Sequence, residues 1–395
     1  MLKLGMVLCG IFVMGCRRPN LPGRADVPAL SPPSLPIFRD VNPRWSHDGT
    51  QIAFLRETPN REHQLCLTDA LLKKVSRLRS PEVLSPDRDY GSGLARYTSP
   101  NTLAFSPDDK QIVFPRVDWI VGNSGEHIPG LGLWLYERRS GDTKPLAVHP
   151  PRYKGGFLYY RYPQWSPNGK YLSFVGEGIF GQRTVLLRSF TRLNPSDTVA
   201  LPLLSEDSDW AIWESKRPVV TWRQSIRRSP SVPFTETLRR AMPGGTSEEA
   251  VGEFWRMSPS EMKVSPVHPH ASHLVWSPDG TLLAFALTSD PLDFQRYAIW
   301  AVSQDGKKAR RISPENGRGY LAPVWIGNER IGALSPNKEG TFTVVSWDIR
   351  SGAMRSHGTI ESADCDWSPD RTRIAYTSGT PTSTGTTLRL FTLKP

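Results

Sequence analysis

Residues 273–288, HLVWSPDGTLLAFALT, set an apolar run ending at Trp276 against a second run with Leu283 and Phe285 on alternate positions. Period-two alternation on both sides of a Ser-Pro-Asp-Gly segment predicts a β-hairpin. Pro278 presets φ at the first central turn position, Asp279 offers a carboxylate to nearby backbone, and Gly280 accepts positive φ without steric cost. The pattern returns in RWSHDGTQIAF ending at Phe54, AFSPDDKQIVF at Phe114, QWSPNGKYLSF at Phe174 and DWSPDRTRIAY at Tyr376. Degraded copies are IWESKRPVVTW, ending at Trp222, and VWIGNERIGAL, ending at Leu334 with a turn one residue shorter. The anchor aromatics are therefore Trp45, Phe105, Trp165, Trp213, Trp276, Trp325 and Trp367. A hairpin recurring every roughly 40–60 residues predicts an all-β, seven-bladed β-propeller of four-stranded antiparallel blades.

Two further strands follow most hairpins, for example YAIWAVS and ARRIS in the fifth repeat, whereas the last repeat ends one strand short at TTLRLFTLKP. SLPIFRD precedes the first hairpin without a blade of its own, so the ring is expected to close with this N-terminal strand, residues 36–39 pairing with 388–392. The fourth repeat is irregular. Placing its third strand at GEFWRM leaves an insertion at about 223–251, in which FTETLRRAM and TSEEAVGEF read as short helices, with Thr246 and Glu249 as a capping box. The a–b and c–d turns are short. Long segments fall between d and a or between b and c, and both loop classes emerge on one face, where binding is expected.

The N-terminal segment leads to the expectation that this body lies outside the cytoplasm. Residues 1–15 carry one cation, Lys3, and a short apolar stretch, as in a signal peptide. The run Val13-Met14-Gly15-Cys16 resembles the bacterial lipobox, which implies lipidation of Cys16; Arg17 after it favours the outer membrane. Residues 16–33 are rich in proline and read as a tether, leaving 34–395 as the propeller. Cys66 and Cys365 are then expected as buried structural thiols. The formal charge of +11 favours anionic partners, but Lys and Arg are dispersed and no nucleic-acid motif is present, so no nucleic-acid partner is expected.

The W-S-P-D-G pattern, in five good and two degraded copies, resembles the WD40-like repeats of the TolB-like propeller family from about residue 34 onward. The resemblance implies a cell-envelope propeller that binds other molecules. Related propellers gate prolyl oligopeptidase-like peptidases, yet no G-x-S-x-G nucleophile elbow is found in this sequence.

Two sites are expected. An aromatic and basic segment, Arg152, Tyr153, Lys154, Tyr159, Tyr160 and Arg161, is suited to stacking on sugars or peptide side chains and to meeting carboxylates, with Trp119 and His127 contributing from the neighbouring insertion. The YYRYPQW portion of it also fits an ordinary strand with one face buried. His268, His270 and His273 are a weaker metal candidate. They resemble the histidines with which oligogalacturonate lyases hold a metal, which implies a metal-dependent polysaccharide lyase or hydrolase as the alternative function. The leading expectation is a monomeric, non-catalytic module without cofactors, anchored only by its lipid, that binds an envelope protein, a peptide or an anionic glycan.

Overall fold

Each repeat opens with the strand that carries its anchor aromatic. The computed structural model describes residues 39–57, 63–78, 103–121, 125, 127–147, 157–178, 183–190, 198–200, 208–226, 234–243, 249–257, 270–288, 294–305, 309–379 and 386–393. In the first repeat β1 (Arg39–Trp45), β2 (Gln51–Glu57), β3 (His63–Asp69) and β4 (Val75–Arg77) form an antiparallel sheet in chain order. The second has β5 (Ala104–Phe105), β6 (Gln111–Val121), β7 (His127–Glu137) and β8 (Thr143–Ala147); the third has β9 (Phe157–Trp165), β10 (Tyr171–Gly178), β11 (Arg183–Ser189) and β12 (Thr198–Ala200). A single parallel bridge, Leu131 to Tyr159, joins these two repeats into one sheet. The fourth repeat has β13 (Ser208–Trp213), β14 (Val220–Ile226), β15 (Phe234–Ala241) and β16 (Glu249–Met257), and the fifth has β17 (His270–Trp276), β18 (Leu282–Thr288), β19 (Ala298–Ser303) and β20 (Ala309–Arg311). The sixth contains β21 (Leu321–Ile326), β22 (Arg330–Pro336), β23 (Phe342–Asp348) and β24 (Met354–Ile360); the last, β25 (Cys365–Trp367), β26 (Arg373–Ser378) and β27 (Thr387–Thr392), has three strands among the described residues.

The hairpin turns carry a repeated hydroxyl–carboxylate device. Ser46, Ser106, Ser277 and Ser368 each donate from Oγ to the aspartate two residues on, at 2.5–2.7 Å, and Ser166 does the same to Asn168 at 2.8 Å. The same Oγ accepts the backbone N–H five residues ahead, as from Leu282 to Ser277 at 3.0 Å. Gly280 follows with φ 75°. In two repeats the glycine is replaced, by Asp109 (φ 55°) and Arg371 (φ 60°), a backbone region unfavourable to residues with a Cβ.

Apart from the half-buried Trp165 the anchor aromatics are buried, and three of them each tie their own repeat to a neighbouring one. Trp213 Nε1 donates to Gln164 O at 2.9 Å and Trp325 Nε1 to Val275 O at 3.0 Å. Trp45 Nε1 makes the corresponding bond to Asp366 O at 3.2 Å, so the first repeat meets the last through the same contact. That junction also holds Arg44 Nη1 donating to Asp366 Oδ1 (3.0 Å), Trp45 N to Asp366 Oδ2 (2.8 Å), Asn42 N to Asp364 Oδ2 (2.9 Å) and Asp40 N to Thr386 O (3.0 Å). Asp40 is itself clamped by Arg56 at 2.6 Å and 2.9 Å.

Three expectations need correction. The segment FTETLRRAM is not helical: β15 pairs with β14 from Val220–Ala241 to Ile226–Thr235 without a register break, and buries Leu238 completely. Likewise EAVGEFWRM is β16, the fourth strand, so the segment 223–251 holds two ladder strands where a helical insertion is expected. Cross-strand pairing has overridden helix-favouring composition. At the junction, residues 36–38 lie outside the described residues, while Arg39 and Asp40 begin β1 and pair with Glu57 and Arg56. The bridge that Arg39 makes to the last repeat is parallel and reaches Thr386, not 388–392.

Candidate functional site

The anchor strands share a second irregularity that no residue pattern announces. Three residues before the anchor, Asn42, Tyr162, His273 and Ala322 have φ between 50° and 55°, and the ladder register shifts there in β1, β9, β17 and β21. These are β-bulges, which re-aim side chains and bend the strand. In β17 the bulge turns His273 toward a cavity of about 440 Å³. The cavity takes wall residues from the anchor-strand region of all seven repeats, among them Arg44, Phe105, Gln164, Ile212, Val275, Val324 and Asp366. His47, Pro369 and Arg371 line it from the a–b turns.

Its charges are unequal. Two guanidiniums, Arg44 and Arg371, face one carboxylate, Asp366, whose oxygens already accept from Arg44 and from the Trp45 backbone. Burial and the nearby Arg44 charge push the His273 imidazole down to about 4, so it is neutral at neutral pH. His47 Nδ1 lies 2.9 Å from Asp109 Oδ1, and Asp109 also accepts the backbone N–H groups of His47 and Asp48 at 2.8 and 2.9 Å. The strained backbone at Asp109 therefore serves a bridge between the first and second repeats. Arg371 has no comparable role: its backbone N–H donates to Ser368 O at 2.9 Å, and its side chain makes no hydrogen bond or ion pair among the described residues.

The expected binding residues are dispersed. Arg152, Tyr153, Lys154, His268 and Cys16 lie outside the described residues. Trp119 and His127 belong to β6 and β7, which continue as an eleven-residue hairpin pairing Trp119 with Pro129 and Val121 with His127. The expected insertion at 117–130 is thus an extended ladder. Tyr159 is half-buried on β9 next to it. Tyr160 packs edge-on against Phe157 and Phe174, and burial raises its phenol. Arg161 is not a surface cation: it is 7% exposed, pairs with Glu177 at 3.5 Å and lies over the Tyr159 ring at 5.2 Å. Tyr160 and Arg161 are therefore ladder residues of β9, as the strand reading of YYRYPQW has it, the first packed on aromatic rings and the second buried against Glu177. His270 heads β17 opposite Thr288, and among the described residues no three metal-binding side chains converge. Cys66 is a free, buried thiol pushed up to about 11 by burial, and Cys365 is free and half-buried.

Sequence reasoning missed Arg44, Asp366 and Arg371. The last did leave a signal, since WSPDR stands where other repeats read WSPDG or WSPNG. Arg44 and Asp366 are 322 residues apart, and only the meeting of first and last repeats brings them together.

No protein-family model matches the sequence, and comparison with curated proteins finds no match. Solved structures do match. The β-propeller domain of the trilobed protease from Pyrococcus furiosus, described as having an open velcro topology, is 16% identical with a TM-score of 0.55, covering 90% of this chain and 95% of that one. An acylaminoacyl peptidase from Pyrococcus horikoshii is 14% identical with a TM-score of 0.55, covering 91% of this chain, which spans 51% of the peptidase. TolB from Acinetobacter baumannii is a looser likeness, 12% identical with a TM-score of 0.42, covering 82% of this chain and 65% of that one. With its all-β meanders, the chain folds as a β-propeller.

Proposed function

We propose that the chain is a lipid-anchored, cell-envelope propeller of seven blades, closed between its first and last repeats, acting as a non-catalytic binding module for a protein, peptide or anionic glycan. Closure is supported by the Trp45–Asp366 bond, which repeats the Trp213–Gln164 and Trp325–Val275 contacts between consecutive repeats. It is supported equally by one cavity drawing on all seven anchor strands. The envelope assignment rests on the lipobox-like run before Cys16.

The observation that carries the binding reading is the β6–β7 hairpin, whose last pairs run to Val121 and His127 on the side where b–c loops emerge. Leu131 of this hairpin bridges to Tyr159, so the extension stands beside the aromatic strand β9. An elongated two-stranded ladder next to a half-buried tyrosine offers an edge and an aromatic face to a partner. Replacing residues 119–129 by Asn-Gly joins Asp118 to Gly130, which already face each other, and so shortens the hairpin without altering the rest of the sheet. That variant and Tyr159→Ala should each lose partners cross-linked from envelope preparations while unfolding at the parent's temperature. Undiminished cross-linking by both would sink the proposed face.

A further inference from the structure

We propose that the central cavity is a second site, a receptor for a small organic carboxylate, entered from the a–b turn face and held by the guanidinium of Arg371 together with that of Arg44. The inference goes beyond binding at the β6–β7 face and does not rest on it.

Three observations lead there independently. The first is an unmatched guanidinium. Arg44 and Arg371 face a partly closed space; Asp366 and Asp370 favour the charge on Arg371, but its guanidinium makes no hydrogen bond among the described residues, and each oxygen of Asp366 is already engaged by Arg44 or by Trp45 N. A confined guanidinium whose N–H donors have no acceptor is unfavourable, so the cavity favours a guest that brings carboxylate oxygens to it. The second is backbone. Arg371 holds φ 60° at a position where Gly49, Gly169 and Gly280 have φ 68–75°. A residue kept in such a conformation indicates a use for its side chain, as Asp109 shows in its own turn. The third is space. A volume of about 440 Å³ exceeds what a bare ion needs, and the walls include Trp45, Leu103 and Trp367, which suit an organic body behind the carboxylate. Arg44 uses one N–H on Asp366 and retains others, so two guanidinium planes are on hand for one carboxylate. His273, neutral above about pH 4, adds no positive charge to the cavity.

Titration calorimetry of the full-length protein with sodium glucuronate, and with glucose as its uncharged counterpart, tests the assignment. Glucuronate should bind saturably at one site in the millimolar range or tighter and glucose should not. Arg371→Gly should weaken glucuronate at least about tenfold while the melting temperature stays level or rises, because glycine relieves the positive φ. Arg371→Gln, which keeps the side-chain bulk, should lose binding as well. Neither change should affect partner cross-linking at the β6–β7 hairpin, so failure of this site is distinguishable from failure of that face. The proposal is overturned if glucuronate does not bind the parent, if glucose binds equally, or if both Arg371 variants bind like the parent.

Discussion

Trp276 and Trp325 stand at the same place in successive repeats, 5% and 2% exposed, yet they are bound differently. Trp325 donates its indole N–H to Val275 O, whereas the Nε1 of Trp276 is buried without a partner among the described residues. Phenylalanine keeps most of the packing and removes only the N–H. Trp325→Phe should therefore cost about 1–2 kcal/mol by stranding the Val275 carbonyl, and Trp276→Phe distinctly less. Trp276→Ala, which empties the site, should cost about 3–5 kcal/mol. Urea unfolding of the three variants separates the two contributions; equal costs for the two phenylalanine variants would remove the hydrogen bond from the account.

At the scale of elements, the anchor hairpins were legible because their determinants are local. The Ser-x-Asp device, the proline and the glycine lie within one turn and act through short hydrogen bonds. The bulges were not legible, since Asn42, Tyr162, His273 and Ala322 share no chemistry that would mark them. The misread segment is β15. Its leucine, arginines and alanine suit a helix, and only the ladder to β14, more than ten residues away in sequence for most pairs, decides otherwise. Leu238 lies at the centre of this ladder and is wholly buried with Trp276 and Phe285 in one apolar cluster. Leu238→Ala should accordingly cost about 2–4 kcal/mol in a denaturant melt, whereas a leucine on an inserted surface helix would lose well under half of that. The candidate sites divide in the same way. Arg371 was readable as a departure from a repeat, while the Arg44–Asp366 pair required knowing which repeats are neighbours.

For the whole molecule, the junction between first and last repeats is rich in ionisable groups, and its response to pH follows from two opposed shifts. Asp364 accepts from Asn42 N and Thr377 Oγ1, but burial outweighs these bonds and holds its carboxyl above the ordinary aspartate range. A carboxyl raised on folding is protonated more readily in the native state, so Asp364 contributes stability below the unfolded-state value near 3.8 that is lost as pH rises through its folded value. His273 acts in reverse. Its folded value of about 4 lies below the unfolded 6.5, so the unfolded chain takes up a proton first, and stability present above 6.5 falls as pH drops toward 4. Between pH 6.5 and 4 the histidine acts to lower the melting temperature as pH falls, so its own contribution to the parent is a decline across that window. His273→Gln should flatten the decline, since glutamine does not titrate. Asp364→Asn keeps an oxygen for Asn42 and Thr377 while removing the buried charge, so it should raise the melting temperature at pH 7 and leave it nearly unchanged at pH 3. Asp366→Asn should instead lower it at neutral pH, because the Arg44 ion pair and the charge-assisted bond from Trp45 N are both weakened. A melting-temperature profile of the parent and these three variants from pH 3 to 8 distinguishes the two carboxylates: if both asparagine variants moved in the same direction at pH 7, the junction would not be organised around one paired and one buried, poorly compensated aspartate.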